Sequence, residues 1–88
     1  MEQRIGFIGV VLEDLSQAPA VNKIVGAYQE IVLGRIGVPD HESDMGVIGL
    51  VVRGTDAEVS GLTARLGNVP SVGVKSAMTQ KKVKEHKE

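Results

Sequence analysis

Residues 46–52 of the chain read Gly46-Val47-Ile48-Gly49-Leu50-Val51-Val52, and residues 6–12 read almost the same, Gly6-Phe7-Ile8-Gly9-Val10-Val11-Leu12. The two heptads begin at positions 6 and 46, an offset of 40 residues, which indicates that the chain contains an internal repeat of one unit. An apolar run of this length, rich in β-branched residues and bounded by polar ones, is typical of a buried central strand. The repeat therefore predicts two strands in the middle of one sheet.

The first unit continues from its strand, Ile5 to Leu12, into a helix and a second strand. Residues 13–16, Glu13-Asp14-Leu15-Ser16, supply a polar loop with candidate helix caps. Pro19 suits the first turn of a helix, and four apolar residues then recur at helical spacing: Val21, Ile24, Val25 and Tyr28. Residues 31–38 resume the strand pattern, which Pro39 is expected to end.

The second unit begins after a polar turn, residues 39–44, that is short enough to close an antiparallel hairpin. Its strand, residues 45–52, is followed by Thr55 and Glu58, which match the capping box at a helix start. The apolar stripe of that helix comprises Val59, Leu62, Thr63 and Leu66. Gly67 is placed to end the helix, and residues 71–78 form the last strand.

The order of elements predicts an α+β fold, a ferredoxin-like βαββαβ sandwich with a four-stranded antiparallel sheet and two helices on one face. Residues 31–38 and 71–78 are expected at the sheet edges. We expect the domain to span residues 1–78. Residues 79–88 are expected to form a charged tail, frayed or a solvated helical extension, with four lysines: Lys81, Lys82, Lys84 and Lys87.

Alternation along the central strands predicts two apolar sheet faces. The bulkier set is assigned to the helices: Ile8, Val10, Leu12, Ile48, Leu50 and Val52. The helix-free face then carries Phe7, Gly9, Val11, Val47, Gly49 and Val51. An open apolar patch usually marks an interaction site, so we expect a homo-oligomer, a dimer or tetramer, held by this face and by Ile31 and Leu33 of an edge strand. The alternative is a monomer in which the tail, or loosely packed long side chains, cover the face.

Residues able to carry chemistry are few. The chain has no cysteine, which excludes disulfides, thiolate metal sites and cysteine nucleophiles. Ser16, Thr55 and Ser60 have no histidine or lysine near them in sequence to act as a base, so no enzyme activity and no catalytic residue is predicted. One acidic turn could be read as a metal cluster, but its spacing fits no ligand pattern: Asp40, His41, Glu42 and Asp44. The sequence predicts no metal and no cofactor.

Charge and hydropathy limit the partners. Ten Lys and Arg against eleven Asp and Glu leave a formal charge of −1, so direct nucleic-acid binding is not expected. Arg35 and Lys75 are expected at opposite margins of the helix-free face as candidate anion contacts, with solvated charges or intersubunit ion pairs as the alternative. The apolar segments are shorter than the roughly 20 residues of a membrane helix, so we expect a soluble protein with no membrane partner. The absence of cysteine fits a cytoplasmic location.

Three segments carry a family resemblance: Arg4-Ile5-Gly6-Phe7-Ile8-Gly9 with Glu13-Asp14 after the strand, residues 31–39, and residues 66–75. In combination they resemble the small regulators assigned to the iron-only hydrogenase system. Those domains are ACT-like and similar to the ligand-binding half of nickel-responsive repressors. The resemblance covers Arg4 to about Met78 and concerns fold and packing rather than chemistry.

The resemblance implies a stand-alone regulatory domain that oligomerises and senses a small-molecule effector, with transcription as its target. By analogy with ACT domains, the ligand site is expected around Glu13, Asp14, Leu15 and Ser16. Helix starts favour anions but two carboxylates oppose them, so the expected ligand is an amine, a neutral polar molecule or none. The alternative is a structural oligomerisation module without a specific ligand.

Two departures from these families limit which ligands the resemblance implies. Amino-acid-binding ACT domains have Pro-Gly after the acidic residue, where this chain has Leu15-Ser16, which argues against amino-acid binding. Nickel repressors employ a cysteine, which this chain lacks. No DNA-binding segment is recognisable ahead of the first strand, so regulation of transcription is expected to act through a partner.

Overall fold

The two glycine-containing heptads pair with each other over their full length at the centre of the sheet. The computed structural model describes residues 2–84, without the side chain of Lys84. Its elements are β1 (Glu2–Leu12), α1 (Ala18–Ala27), β2 (Val32–Asp40), β3 (Met45–Gly54), α2 (Asp56–Gly67), β4 (Val72–Met78) and β5 (Val83–Lys84). Two short 3-10 helices, Leu15–Gln17 and Gln29–Ile31, flank α1.

The sheet is antiparallel with the order β2-β3-β1-β4, which confirms the predicted fold class and both predicted edges. Gly9 pairs with Gly49, and the ends of the heptads pair as Gly6 with Val52 and Leu12 with Gly46. The apolar repeat therefore sits in the two strands with a neighbour on each side, where every backbone group can join a ladder.

Two caps expected from the sequence are present, one at the 3-10 helix ahead of α1 and one at α2, whereas α1 itself starts after Gln17 without a side-chain cap. Asp14 accepts a hydrogen bond from the backbone N–H of Ser16 at 2.9 Å, at the start of the 3-10 helix that leads into α1. At α2 the Thr55 hydroxyl accepts from the N–H of Glu58 at 3.2 Å, and the Glu58 carboxylate accepts from the N–H of Thr55 at 2.8 Å. This confirms the predicted capping box.

The core lies between the sheet and the helices. All six residues assigned to the helix-facing side of the central strands are buried: Ile8, Val10, Leu12, Ile48, Leu50 and Val52. They pack with Val21 and Val25 of α1 and with Val59, Leu62 and Leu66 of α2. Ile24, Tyr28 and Thr63, which belong to the predicted helix stripes, are only partly buried.

The second strand departs from prediction at both ends. Ile31 belongs to the 3-10 helix rather than to β2, and the strand continues through Pro39 to Asp40, so the prediction that Pro39 ends it was wrong. A proline is tolerated on an edge strand because its missing N–H can face solvent. The register also shifts between Val32 and Gly34, where Leu33 forms a β-bulge.

The start of the tail is ordered against the rest of the domain. Thr79 donates its N–H to the Ile5 carbonyl at 2.9 Å, and Val83–Lys84 pairs with Gln3 and Glu2 of β1. The prediction of a frayed or helical tail was therefore wrong for residues 79–84, because β1 begins at Glu2 and is long enough for Val83–Lys84 to pair with it. His86 and Lys87 lie outside the described residues, and the domain boundary at residue 78 stays a prediction.

None of the helices within residues 2–84 combines the length and the apolar composition needed to cross a membrane.

Thr55→Ala should lower the free energy of unfolding by about 1 kcal/mol, because it removes the hydroxyl that satisfies the Glu58 N–H. Urea denaturation measures this loss. Ser60→Ala is the matched control, since Ser60 is exposed on the same helix and alanine favours helix there. Equal stability of the two variants would contradict a stabilising role for the cap.

Candidate functional site

An apolar sheet face is open to solvent on the side away from the helices. Phe7, Val11, Val47 and Val51 expose between 43% and 52% of their surface. Strand β2 extends the face with Ile36 and Val38, which pair with Gly49 and Val47 and are 64% and 59% exposed. We call the surface formed by these six residues, Phe7, Val11, Val47, Val51, Ile36 and Val38, the open sheet face.

The centre of the open sheet face is a phenylalanine ring lying across two glycines. A Cβ on Gly49 would lie 2.8 Å from Cζ and 2.9 Å from Cε1 of Phe7, and a Cβ on Gly9 would lie 3.4 Å from its Cε2. The ring thus occupies the space that a side chain at Gly49 would need, whereas a Cβ at Gly9 would be in ordinary van der Waals contact with it. A larger residue at position 49 would displace the ring of Phe7.

Two residues predicted for the oligomer interface have different surroundings. Ile31 is 6% exposed and packs in the core, so its prediction as an interface residue was wrong. The reason is that the chain is still in the 3-10 helix at Ile31, which turns the side chain under the sheet. Leu33, at the bulge, is 62% exposed and remains available for contacts.

The two candidate anion contacts lie on opposite faces. Lys75 pairs with Gly9 and lies at the margin of the open sheet face, as expected. Arg35 pairs with Leu50 on the helix side, so its prediction on the helix-free face was wrong. The β-bulge at Leu33 adds one residue before Arg35, and one residue changes the face of every position that follows. These two cations cannot contact the same anion.

The Asp14 carboxylate and several backbone N–H groups of the 13–16 loop form hydrogen bonds within the domain. The Asp14 carboxylate caps the 3-10 helix, and its hydrogen bond from the Ser16 backbone N–H lowers the pKa of Asp14 below its usual value. The backbone N–H of Glu13 donates to Ser71 and that of Leu15 donates to Asp44. Glu13 and Ser16 are exposed, whereas the side chain of Leu15 reaches a groove beside the loop.

This groove lies between α1 and β2 on the helix side of the sheet, and we call it the α1–β2 groove. Its volume is about 200 Å³. Leu15, Ala18 and Ile48 are among its apolar walls, and Asn22 and Arg35 are its polar side chains. Arg35 Nη2 donates to Asn22 Oδ1 at 2.7 Å. Sequence reasoning missed the groove because the bulge that directs Arg35 into it has no sequence signal beyond Gly34.

A larger cavity of about 470 Å³ lies between α2, β4 and the start of the tail. Arg4 organises it: Nε contacts Asp56 Oδ1 at 2.8 Å, and Nη1 donates to the carbonyls of Thr79 and Gln80 at 2.9 and 2.7 Å. Lys82 Nζ lies 3.7 Å from Asp56 Oδ2. These groups satisfy one another, so the cluster anchors the tail.

No three metal-ligating side chains within residues 2–84 are arranged to hold an ion. In the acidic hairpin turn, Asp40 accepts a hydrogen bond from the Ser43 hydroxyl at 2.6 Å.

These features define a ferredoxin-like domain with one covered and one open sheet face. The chain belongs to the family described as "TM1266-like: Iron-only hydrogenase system regulator, putative", whose model matches residues 4–76. The structure of uncharacterized protein TM1266 from Thermotoga maritima is 30% identical with a TM-score of 0.83, over 90% of this chain and 100% of that chain.

A second solved structure is similar in fold alone. It is the apo form of CPII from Thiomonas intermedia K12, a nitrogen regulatory PII-like protein, at 12% identity and a TM-score of 0.58, over 92% of this chain and 95% of that one. No curated protein sequence matches the chain.

Asp56→Asn should lower the thermal midpoint at neutral pH, and the difference from wild type should shrink as the pH falls below 3.8. The hydrogen bond from Arg4 lowers the pKa of Asp56 below its ordinary value of 3.8. The ionised carboxylate therefore stabilises the fold above that pH, and its contribution is lost as the pH falls through the folded-state pKa. Thermal melts across the acidic range measure this.

Glu42→Gln, in the exposed hairpin turn, controls for the loss of one charge. In an Arg4→Gln background the effect of Asp56→Asn should largely disappear, because the double-mutant cycle isolates the pair. An Asp56→Asn effect that is the same with and without Arg4 would refute the assignment.

Proposed function

We propose that this chain is a non-enzymatic regulatory domain of the iron-only hydrogenase system that acts as a homo-oligomer and responds to a small-molecule effector. Membership of the regulator family supports the regulatory role. The open sheet face is the observation that carries the proposal, because it offers a large apolar surface on the side of the sheet that the helices leave uncovered.

The energetic argument for an oligomer rests on the apolar surface area that association would bury. Covering about 300 Å² of apolar surface is worth roughly 7 kcal/mol before the entropy cost of association, at about 25 cal/mol per Å². This is comparable with the whole stability of a small domain, about 5–15 kcal/mol. A domain of 88 residues therefore has much to gain from covering the open sheet face.

A second copy of the chain is the occupant that we propose. The face is apolar across β1, β2 and β3, and Lys75 is a charge at its margin rather than at its centre. A face of this kind is complementary to itself, and symmetric dimers are the commonest oligomers. A dimer built on this face can form a tetramer through the edges of β2 or β4.

Regulation of transcription is proposed to pass through a protein partner. The formal charge of −1 supplies no general attraction to nucleic acid. One of the cations is also engaged within the domain, since Arg4 contacts Asp56.

A purely structural oligomerisation module is the second candidate. It is favoured by the use of the Asp14 carboxylate and the neighbouring backbone groups in capping and loop contacts, which leaves the 13–16 loop little to offer a ligand. The two candidates share the oligomer and differ in whether a small molecule binds.

Val47→Glu should convert the oligomer to a monomer, because each interface would then have to bury an unpaired carboxylate. Sedimentation equilibrium measures the change. Ala64→Glu is the matched control, since Ala64 is exposed on α2, on the other side of the sheet. A wild-type chain that stays monomeric at high concentration would disprove the proposed assembly.

Native mass spectrometry on gently purified protein should give a mass equal to a whole number of chains plus a small bound molecule. It reports the oligomer and the effector together, so it separates the two candidates. An oligomer of bare chains, with no thermal shift on adding metabolites, would favour the structural module.

A further inference from the structure

Arg35 is a cation whose charge is not balanced within the described domain. The salt bridges among residues 2–84 are formed by Arg4 and Lys82, and Arg35 takes part in none of them. Its Nη2 donates to the neutral Asn22 side chain instead. A guanidinium has five N–H donors, so this single contact leaves most of them available to a ligand in the α1–β2 groove.

Asn22 presents donors beside the guanidinium. Because Asn22 Oδ1 accepts from Arg35 at 2.7 Å, the other atom of the amide, Nδ2, is left with two N–H donors. This end of the groove therefore offers donors from both side chains and one positive charge. A carboxylate is the complementary group, since its two oxygens accept charge-assisted hydrogen bonds in the planar geometry of a guanidinium.

The rest of the groove is apolar, and its volume limits the size of a ligand. Leu15, Ala18 and Ile48 supply apolar walls, and a Cβ on Gly37 would have its nearest neighbour at 3.9 Å, so the floor is open there. A cavity of about 150 Å³ holds one benzene molecule, and the groove measures about 200 Å³. No carboxylate of residues 2–84 lines it to balance an ammonium group.

We propose that the α1–β2 groove binds a small monocarboxylate with a branched or aromatic apolar body and no amino group. The carboxylate contacts Arg35 and Asn22, and the apolar body lies against Leu15 and Ile48. This inference rests on the proposed regulatory function and names the chemical class of its effector. Arg35 and Asn22 lie on the helix side of the sheet, so variants of these two residues test binding without changing a side chain of the open sheet face.

The test is a titration of ¹⁵N-labelled protein followed by backbone amide chemical shifts. The probes are 3-methylbutanoate and benzoate. They are compared with 3-methylbutanamide, which lacks the charge, with 3-methylbutylamine, which inverts it, and with valine, which adds an ammonium group to the same carbon skeleton. Both carboxylates should give saturable shifts at Asn22, Gly37 and Gly46, and the three comparison compounds should bind at least tenfold more weakly.

Asn22→Asp should weaken binding of both carboxylates at least tenfold, because it places a negative charge against Arg35 with almost no change in shape. Asn68→Asp makes the same charge change at the exposed end of α2 and should leave binding unaltered. Arg35→Gln is the second variant and should give a loss of similar size. The amide spectrum of each variant reports whether it is folded.

The proposal is overturned if neither carboxylate gives saturable shifts, if the amide binds as well as the acid, or if Asn22→Asp binds like wild type. Absence of binding by a wild-type oligomer would remove this inference and leave the proposed assembly in place. Binding by a wild-type monomer would keep the groove and remove the assembly.

Discussion

The rest of the structure depends on the pairing of Gly9 with Gly49 beneath the ring of Phe7. The two glycines face each other in adjacent central strands, and the ring lies against Gly9 and fills the space that a side chain at Gly49 would need. On the opposite side of the same strands, bulky residues such as Ile8 and Leu50 are fully buried against the helices. One face of the sheet is therefore packed against the helices, and the other is apolar and exposed to solvent. The exposed face is the open sheet face, through which we propose that the chain assembles.

The bulge at Leu33 makes the two halves of the chain different. Strand β4 keeps an unbroken register with β1, whereas β2 gains one residue relative to β3. The equivalent positions Arg35 and Lys75 consequently face opposite sides. Lys75 borders the open sheet face, and Arg35 enters the α1–β2 groove beside Asn22. One inserted residue thus puts one cation beside the face of the proposed assembly and the other in the groove of the proposed ligand.

A regulatory role fits this division of surfaces. The groove and the open sheet face are built on the two sides of β2 and β3, so a ligand in the groove contacts strands that also carry Ile36 and Val47. Displacement of an edge strand by a bound molecule would alter the surface that a second chain contacts. Strand β2 is exposed along almost its whole length, and few buried contacts oppose such a shift.

The sequence by itself determined the element order, the two faces of the central strands and the exposure of the open sheet face, because these follow from hydrophobic periodicity. It also determined the capping box at Thr55, which depends on local hydrogen bonds. Only the tertiary structure decided the surroundings of Ile31, the face of Arg35 and the pairing of Val83 with Gln3. Each depends on the register between strands that are distant in the chain. A single extra residue reverses the two faces of a strand, and the local sequence does not predict that register.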